Sequence, residues 1–192
     1  MKTQYPVDGH VELSINPRKE TEFTLAFRIP LWVDDNYQIA INGESQTSVR
    51  KGGYLYLQRK WKKGDKVSIN FRLKAKVEEY DRHQAVTYGP LVFARDSRFM
   101  DGYVDECAII QQNEKGEVSA VPQETRKDSF AWVTMEVPMI LGTDLENIEN
   151  KVVKQIKFCD FASAGNDWDP AGRYRVWIPK TLNQMSEAYR QY

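Results

Sequence analysis

The sequence predicts an all-β fold: antiparallel β-sandwich, two sandwiches packed together, followed by a short C-terminal helix. Three observations carry this. Apolar residues recur with period two through the first half of the chain. Turn-forming residues punctuate those runs at short intervals. Until the last dozen residues, no segment carries a helical period long enough to suggest alternating strands and helices.

The elements follow in order. Val11, Leu13 and Ile15 share one side of a strand, with Glu12 and Ser14 on the other. Phe23, Leu25, Phe27 and Ile29 repeat the pattern against Thr24, Ala26 and Arg28. Tyr37, Ile39 and Ile41 form a third run, and Val67, Ile69, Phe71 and Leu73 a later one. One dry face and one wet face per strand is the pattern of antiparallel sheets packed on a single core. Asn42-Gly43 predicts a tight hairpin, because a type I′ turn needs positive φ at both central residues. Gly52-Gly53 opens the strand Tyr54–Leu57, and Lys63-Gly64-Asp65 turns the chain between Trp61 and Val67. Gly89-Pro90 then introduces Leu91-Val92-Phe93-Ala94, a run suited to cover on both faces.

The charged, irregular stretch from Arg95 to Gly102 places a domain boundary near residue 96. The first domain is then residues 1–95 and the second 96–192. The second half is less regular, with strands expected at Cys107–Gln111, Phe130–Val137, Val152–Phe158 and Arg173–Ile178, and with Pro138 ending the second of these. From about residue 181 the period changes. Thr181 and Gln184 fit a capping box, and Leu182, Met185 and Tyr189 fall on one helical face.

Composition excludes several function classes. The 27 basic and 27 acidic residues cancel, which argues against a nucleic acid or membrane-surface partner. No apolar run approaches the roughly 18 residues of a membrane span. Met1–Pro6 lacks the apolar segment of a signal peptide, and the compartment stays open. Cys107 and Cys159 have no metal-ligand spacing, so no metal or cofactor is expected. They read as buried inert thiols, with a disulfide as the alternative.

No catalytic residue emerges. His10 and His83 stand in strand-like or turn-like sequence without a nucleophile motif, and there is no glycine-rich phosphate loop. Two places have the composition of a sugar contact. Tyr54 and Tyr56 share the face opposite Leu55 and Leu57, where they either stack on sugar rings or lie under a neighbouring domain. Asp167, Trp168 and Asp169 combine oxygen ligands with an aromatic plate, in a loop that equally fits an ordinary Asx-rich turn. Trp32, Trp61, Trp132 and Trp177 sit in or beside apolar strands and are expected in the core.

These turns and strands together resemble the region after the catalytic barrel in glycoside hydrolase family 127, the β-L-arabinofuranosidase-like proteins. The likeness runs through Tyr5-Pro6-Val7-Asp8-Gly9, Phe23 to Trp32, Ile41-Asn42-Gly43-Glu44, Gly53-Tyr54-Leu55 and Trp61 to Asp65. It continues through Tyr88-Gly89-Pro90-Leu91-Val92-Phe93 and ends at Arg173 to Pro179. Val7 departs from the Trp usual there, which loosens a packing contact. The resemblance implies that catalysis belongs to an (α/α) helical barrel N-terminal to this region, with a cysteine nucleophile beside a zinc site. Neither Cys107 nor Cys159 matches that family's adjacent-cysteine motif, so no catalytic residue is carried over.

The expected function is therefore a non-catalytic β-sandwich portion of an arabinofuranosidase-like glycoside hydrolase. Its partner would be the helical barrel of the parent chain, and the tail helix would offer a homo-oligomer contact. A free-standing carbohydrate-binding module using Tyr54, Tyr56 and Trp168 is the alternative, and a plain interaction domain the third reading.

Overall fold

The computed structural model describes residues 1–33, 37–47, 50–125, 127, 129–142, 152–167 and 169–180. The helix expected from about residue 181 and the Trp168 side chain lie outside the described residues. The described chain is antiparallel β throughout, with two single-turn 3₁₀ segments. Among these residues no helix is long and apolar enough to cross a membrane.

Two compact units divide the chain, Met1–Leu73 and Lys74–Tyr192. The first contains β1 (Lys2–Thr3), β2 (His10–Ile15), β3 (Thr21–Arg28), β4 (Tyr37–Ile41), β5 (Glu44–Ser45), β6 (Arg50–Lys51), β7 (Tyr54–Trp61) and β8 (Asp65–Phe71). They form a five-stranded sheet, ordered β1-β2-β8-β4-β5, and a three-stranded sheet, β3-β7-β6. The inward residues of both make one apolar core, including Ile39, Ile41, Leu55, Leu57, Trp61, Val67 and Ile69. This is a sandwich, and the period-two pattern is its cause: each strand turns one row inward and the other to water.

The turn chemistry is as the residues require. Asn42 and Gly43 have φ of 52° and 87°, joining Ile41 to Glu44 in a two-residue hairpin. The Asn42 side chain also donates to Asp65 Oδ1 at 2.9 Å and accepts from Lys66 N at 2.8 Å, tying the hairpin to the start of β8. Gly9 answers a different need. A Cβ there would stand 1.7 Å from the Phe71 carbonyl oxygen, where the β2 and β8 backbones meet and Phe71 N–H donates to Gly9 O. Asp8 Oδ1 accepts from His10 N at 2.9 Å, and the Tyr5 ring packs on Trp32 and Phe71. The Tyr-Pro-Val-Asp-Gly opening is thus a packing device at the start of the sandwich.

The described residues of the second unit form one ten-stranded sheet. It comprises β9 (Ala75–Tyr80), β10 (His83–Tyr88), β11 (Leu91–Asp96), β12 (Ala108–Ile110), β13 (Glu117–Val118), β14 (Gln123–Glu124), β15 (Val133–Leu141), β16 (Lys154–Asp160), β17 (Tyr174–Arg175) and β18 (Ile178–Pro179). Its main path runs β12-β15-β16-β11-β10-β9-β13. The sheet curls back on itself. Buried Gln84 on β10 donates to Ala108 O at 2.6 Å and accepts from Ile110 N at 3.2 Å, bridging to β12 at the end of that path.

Several elements differ from expectation. Residues 75–96 pair within the second unit's sheet, so the compact units meet at Leu73 rather than near residue 96. Pro138 does not end its strand, because β15 runs on to Leu141. Its carbonyl accepts from Gln111 N at 2.8 Å just where β12 ends, so the missing N–H costs only one rung at a ladder's margin. The run from Leu91 leaves Val92 partly exposed, and full burial begins at Phe93 and continues through Arg95 and Asp96. Cys107 and Cys159 are buried and not joined in a disulfide, and burial pushes the Cys159 thiol up to about 12.

Candidate functional site

β7 presents the first candidate site because strand alternation leaves it no choice. With Leu55 and Leu57 inward, Tyr54 and Tyr56 emerge on the outer face at 41% and 47% exposure. Their rings lie 6.3 Å apart with planes inclined at 39°, a tilted pair rather than a flat platform. On that face Arg28 stands opposite Tyr54 on β3 and Lys51 opposite it on β6. Tyr56 also lines an open groove of about 790 Å³ with Gln46, Thr47, Lys51, Gln58 and Lys60. An aromatic ring beside amide, hydroxyl and ammonium groups suits a polyhydroxylated ligand.

Asp167 and Asp169, in the second unit, are occupied with local structure. Asp167 Oδ2 pairs with Arg98 Nη1 at 3.3 Å. Asp169 Oδ1 accepts from Ala171 N at 2.9 Å and its carbonyl accepts from Gly172 N, an Asx turn in geometry. The structure therefore brings the two tyrosines together and sends the two aspartates to separate duties. His83 hydrogen-bonds the Asp81 carbonyl through Nδ1 at 2.8 Å, within its own hairpin. Among the described residues no three His, Cys, Asp or Glu side chains gather as a metal site.

The dense polar clusters are ones the sequence did not suggest. Asp96, 2% exposed, receives Arg98 Nε at 2.8 Å and Nη2 at 2.7 Å, with Gly165 N at 3.0 Å and Arg98 N at 3.0 Å. The guanidinium also reaches Ser163 O and Asn166 Oδ1, and lies 3.7 Å from the Phe130 ring centre. Burial pushes the Asp96 carboxyl upward, but the Arg98 and Gly165 donors outweigh it and hold it below its ordinary value. Next to it, Asp160 accepts from Val133 N, Ser163 N and Ser163 Oγ, while Ser163 Oγ accepts from Trp132 N. These residues lock the loop after β16 to the start of β15 and the end of β11.

A lowered carboxyl pKa makes stability depend on pH in a known direction. The contribution of Asp96 is complete above the ordinary aspartate value, about 3.9, and is lost as pH falls through the lower folded value. Urea midpoints between neutral pH and pH 3 should therefore fall less steeply for Asp96→Asn than for the native chain. An equal slope would show that Asp96 is not the acid-labile group.

Trp177, expected in the core, is 42% exposed and meets Tyr80 edge-on with centroids 6.4 Å apart. The expected strand at Arg173–Ile178 is split into β17 on β11 and β18 on β10, and Ile178 takes the inward position. Alternation then turns Trp177 out. Trp61 is fully buried, and Trp32 packs against the first core.

Fold and sites together define a tandem β module whose polar clusters serve its own loops and whose first unit carries an open groove with Tyr56 in its wall. Residues 1–73, the whole first unit, match the family model described as beta-L-arabinofuranosidase, GH127 middle domain. A solved GH127 beta-L-arabinofuranosidase from Geobacillus stearothermophilus T6 superposes with TM-score 0.73 at 23% identity, over 93% of this chain and 29% of that one. A further GH127 beta-arabinofuranosidase gives TM-score 0.69 at 21% identity, over 96% of this chain and 32% of that one. A glycoside hydrolase gives TM-score 0.61 at 24% identity, over 93% and 31%. No curated protein sequence matches. The GH127 resemblance holds, and the chain spans about a third of the length of these solved relatives.

Proposed function

We propose that the chain is the accessory β-sandwich region of an arabinofuranosidase-like glycoside hydrolase, supporting a catalytic barrel supplied by the rest of a longer protein. The observation that carries this reading is the GH127 middle-domain match over residues 1–73, joined to a fold that follows under a third of a GH127 enzyme. The chemistry agrees. The polar clusters at Asp96 and Asp160 are saturated by their own loops, and the exposed tyrosines form a surface that another domain can cover. On this reading the purified chain releases no sugar from aryl arabinofuranosides. Turnover above the buffer rate that survives repurification would overturn it.

The exposed Tyr54–Tyr56 pair and its groove favour one second reading, sugar binding on the first unit. Calorimetry with arabinofuranosides decides between them. Heat that disappears in Tyr54→Ala/Tyr56→Ala supports binding; no heat leaves the tyrosines as a covered surface.

A further inference from the structure

The groove of the first unit carries a charge of one sign. Among the described residues β6 pairs with only Tyr54 and Leu55 of β7, and the strand beyond them, from Tyr56 to Lys60, lines the groove. Gln46 and Thr47, which follow β5, line it too, and the core residues Ile41 and Leu57 form its apolar part. Lys51, Arg59 and Lys60 are its charged residues, and none of the described lining residues is a carboxylate. The 27 basic and 27 acidic residues of the chain cancel, so this is a local excess of cations. Lys51 has no ion pair among the described residues. Lys60 lies 3.6 Å from Glu20, but both are exposed, and a pair of that kind is weak and screened by salt. The Arg59 guanidinium sits 5.2 Å from the Trp61 ring centre, and its Nε reaches the Lys60 carbonyl only at 3.5 Å.

The cations are spread rather than gathered. Lys51 stands opposite Tyr54, and Lys60 lies six residues further along β7, about 20 Å at the rise of a strand. The half-exposed Tyr56 ring and the Gln58 amide fall between them. A lone phosphate calls for donors converging on one point. Cations strung along a strand, with an aromatic ring and amides between, match an extended chain that repeats both hydroxyls and negative charge. We propose that the groove binds an acidic oligosaccharide, a glycan chain bearing uronate carboxylates at intervals. The carboxylates meet Lys51, Arg59 and Lys60, while a sugar ring stacks on Tyr56. The proposal rests on the second reading above, sugar binding on the first unit, and adds to it the charge of the ligand.

Calorimetry on the 192-residue chain tests it, with oligogalacturonate, its methyl ester and a neutral arabino-oligosaccharide in one low-salt buffer. The acid should bind tightest. The ester keeps the rings and loses the charge, and should bind about tenfold more weakly. Added sodium chloride should weaken the acid and leave the ester unchanged. Lys51→Glu and Lys60→Glu should each weaken the acid about tenfold and leave the neutral sugar as it was. Tyr56→Ala should weaken both, and Lys115→Glu, on the second unit, should change neither. All these positions are exposed, so unchanged thermal unfolding midpoints confirm that the variants fold. An ester or neutral sugar bound as tightly as the acid overturns the proposal and leaves the sugar-binding reading standing. No heat from any of the three overturns both. Polyglutamate bound as tightly as oligogalacturonate assigns the groove to an acidic polypeptide, and that also overturns the proposal.

Discussion

Replacing Arg95 with methionine is expected to stabilise the second unit by about 1–4 kcal/mol. Arg95 lies on β11 with no exposed surface, and its Nε, Nη1 and Nη2 have no hydrogen-bond partner among the described residues. Burial depresses its proton affinity, and the carboxylates of Asp101, Glu106 and Asp105 only partly oppose this. A buried guanidinium without direct acceptors carries a desolvation cost that a thioether of similar length does not. The acids lose little, because Asp101 Oδ2 already accepts from Lys157 N and Asp105 pairs with Arg175. Arg98→Met, three residues on, should do the opposite and cost about 3 kcal/mol, since it strands the buried Asp96 carboxylate. Urea midpoints read both. A lower midpoint for Arg95→Met would mean the guanidinium is well served in solution.

Trp61→Ala carries the second large effect, a loss of about 3–5 kcal/mol in the first unit. Trp61 ends β7 fully buried, its ring 6.0 Å from Phe23 and under the Arg59 guanidinium, and its indole N–H donates to Phe23 O at 2.9 Å. Truncation removes the largest fully buried side chain of this core, leaving a cavity and removing the indole bond to the Phe23 carbonyl. Trp61→Phe keeps most of the volume and should cost about 1–2 kcal/mol, mainly the lost hydrogen bond. Equal losses for the two would assign the effect to the hydrogen bond rather than to packing.

The first sandwich was legible because its strands are buried on one side only. Residues such as Val67, Ile69 and Phe71 alternate against Ser68 and Asn70, and the backbone follows. Asn42-Gly43 was legible for a local reason, since the turn requires positive φ. The second unit was harder. Arg95-Asp96 looks like the start of a linker, because sequence prices charge as exposure; the structure buries both at the end of a central strand. The donors to Asp96 come from Arg98, two residues on, and from Gly165, on a distant loop that no local pattern connects to it. Tyr54 and Tyr56 were found because alternation places them. Trp177 was misplaced because two separate two-residue pairings replaced a continuous strand.

Gln84 gives the second unit an unusual architectural element. Its carboxamide donates to one backbone group of β12 and accepts from another two residues on, as a peptide unit of an adjacent strand would. A side chain thus impersonates a rung of main chain, and the ribbon of strands closes on a prosthetic peptide bond where backbone alone would need an additional strand. The bend of the sheet is then measured out by the reach of one glutamine. Shortening that reach by a methylene would ask three intervening strands to tighten together, so the curvature of a whole sheet is written into the length of a single residue.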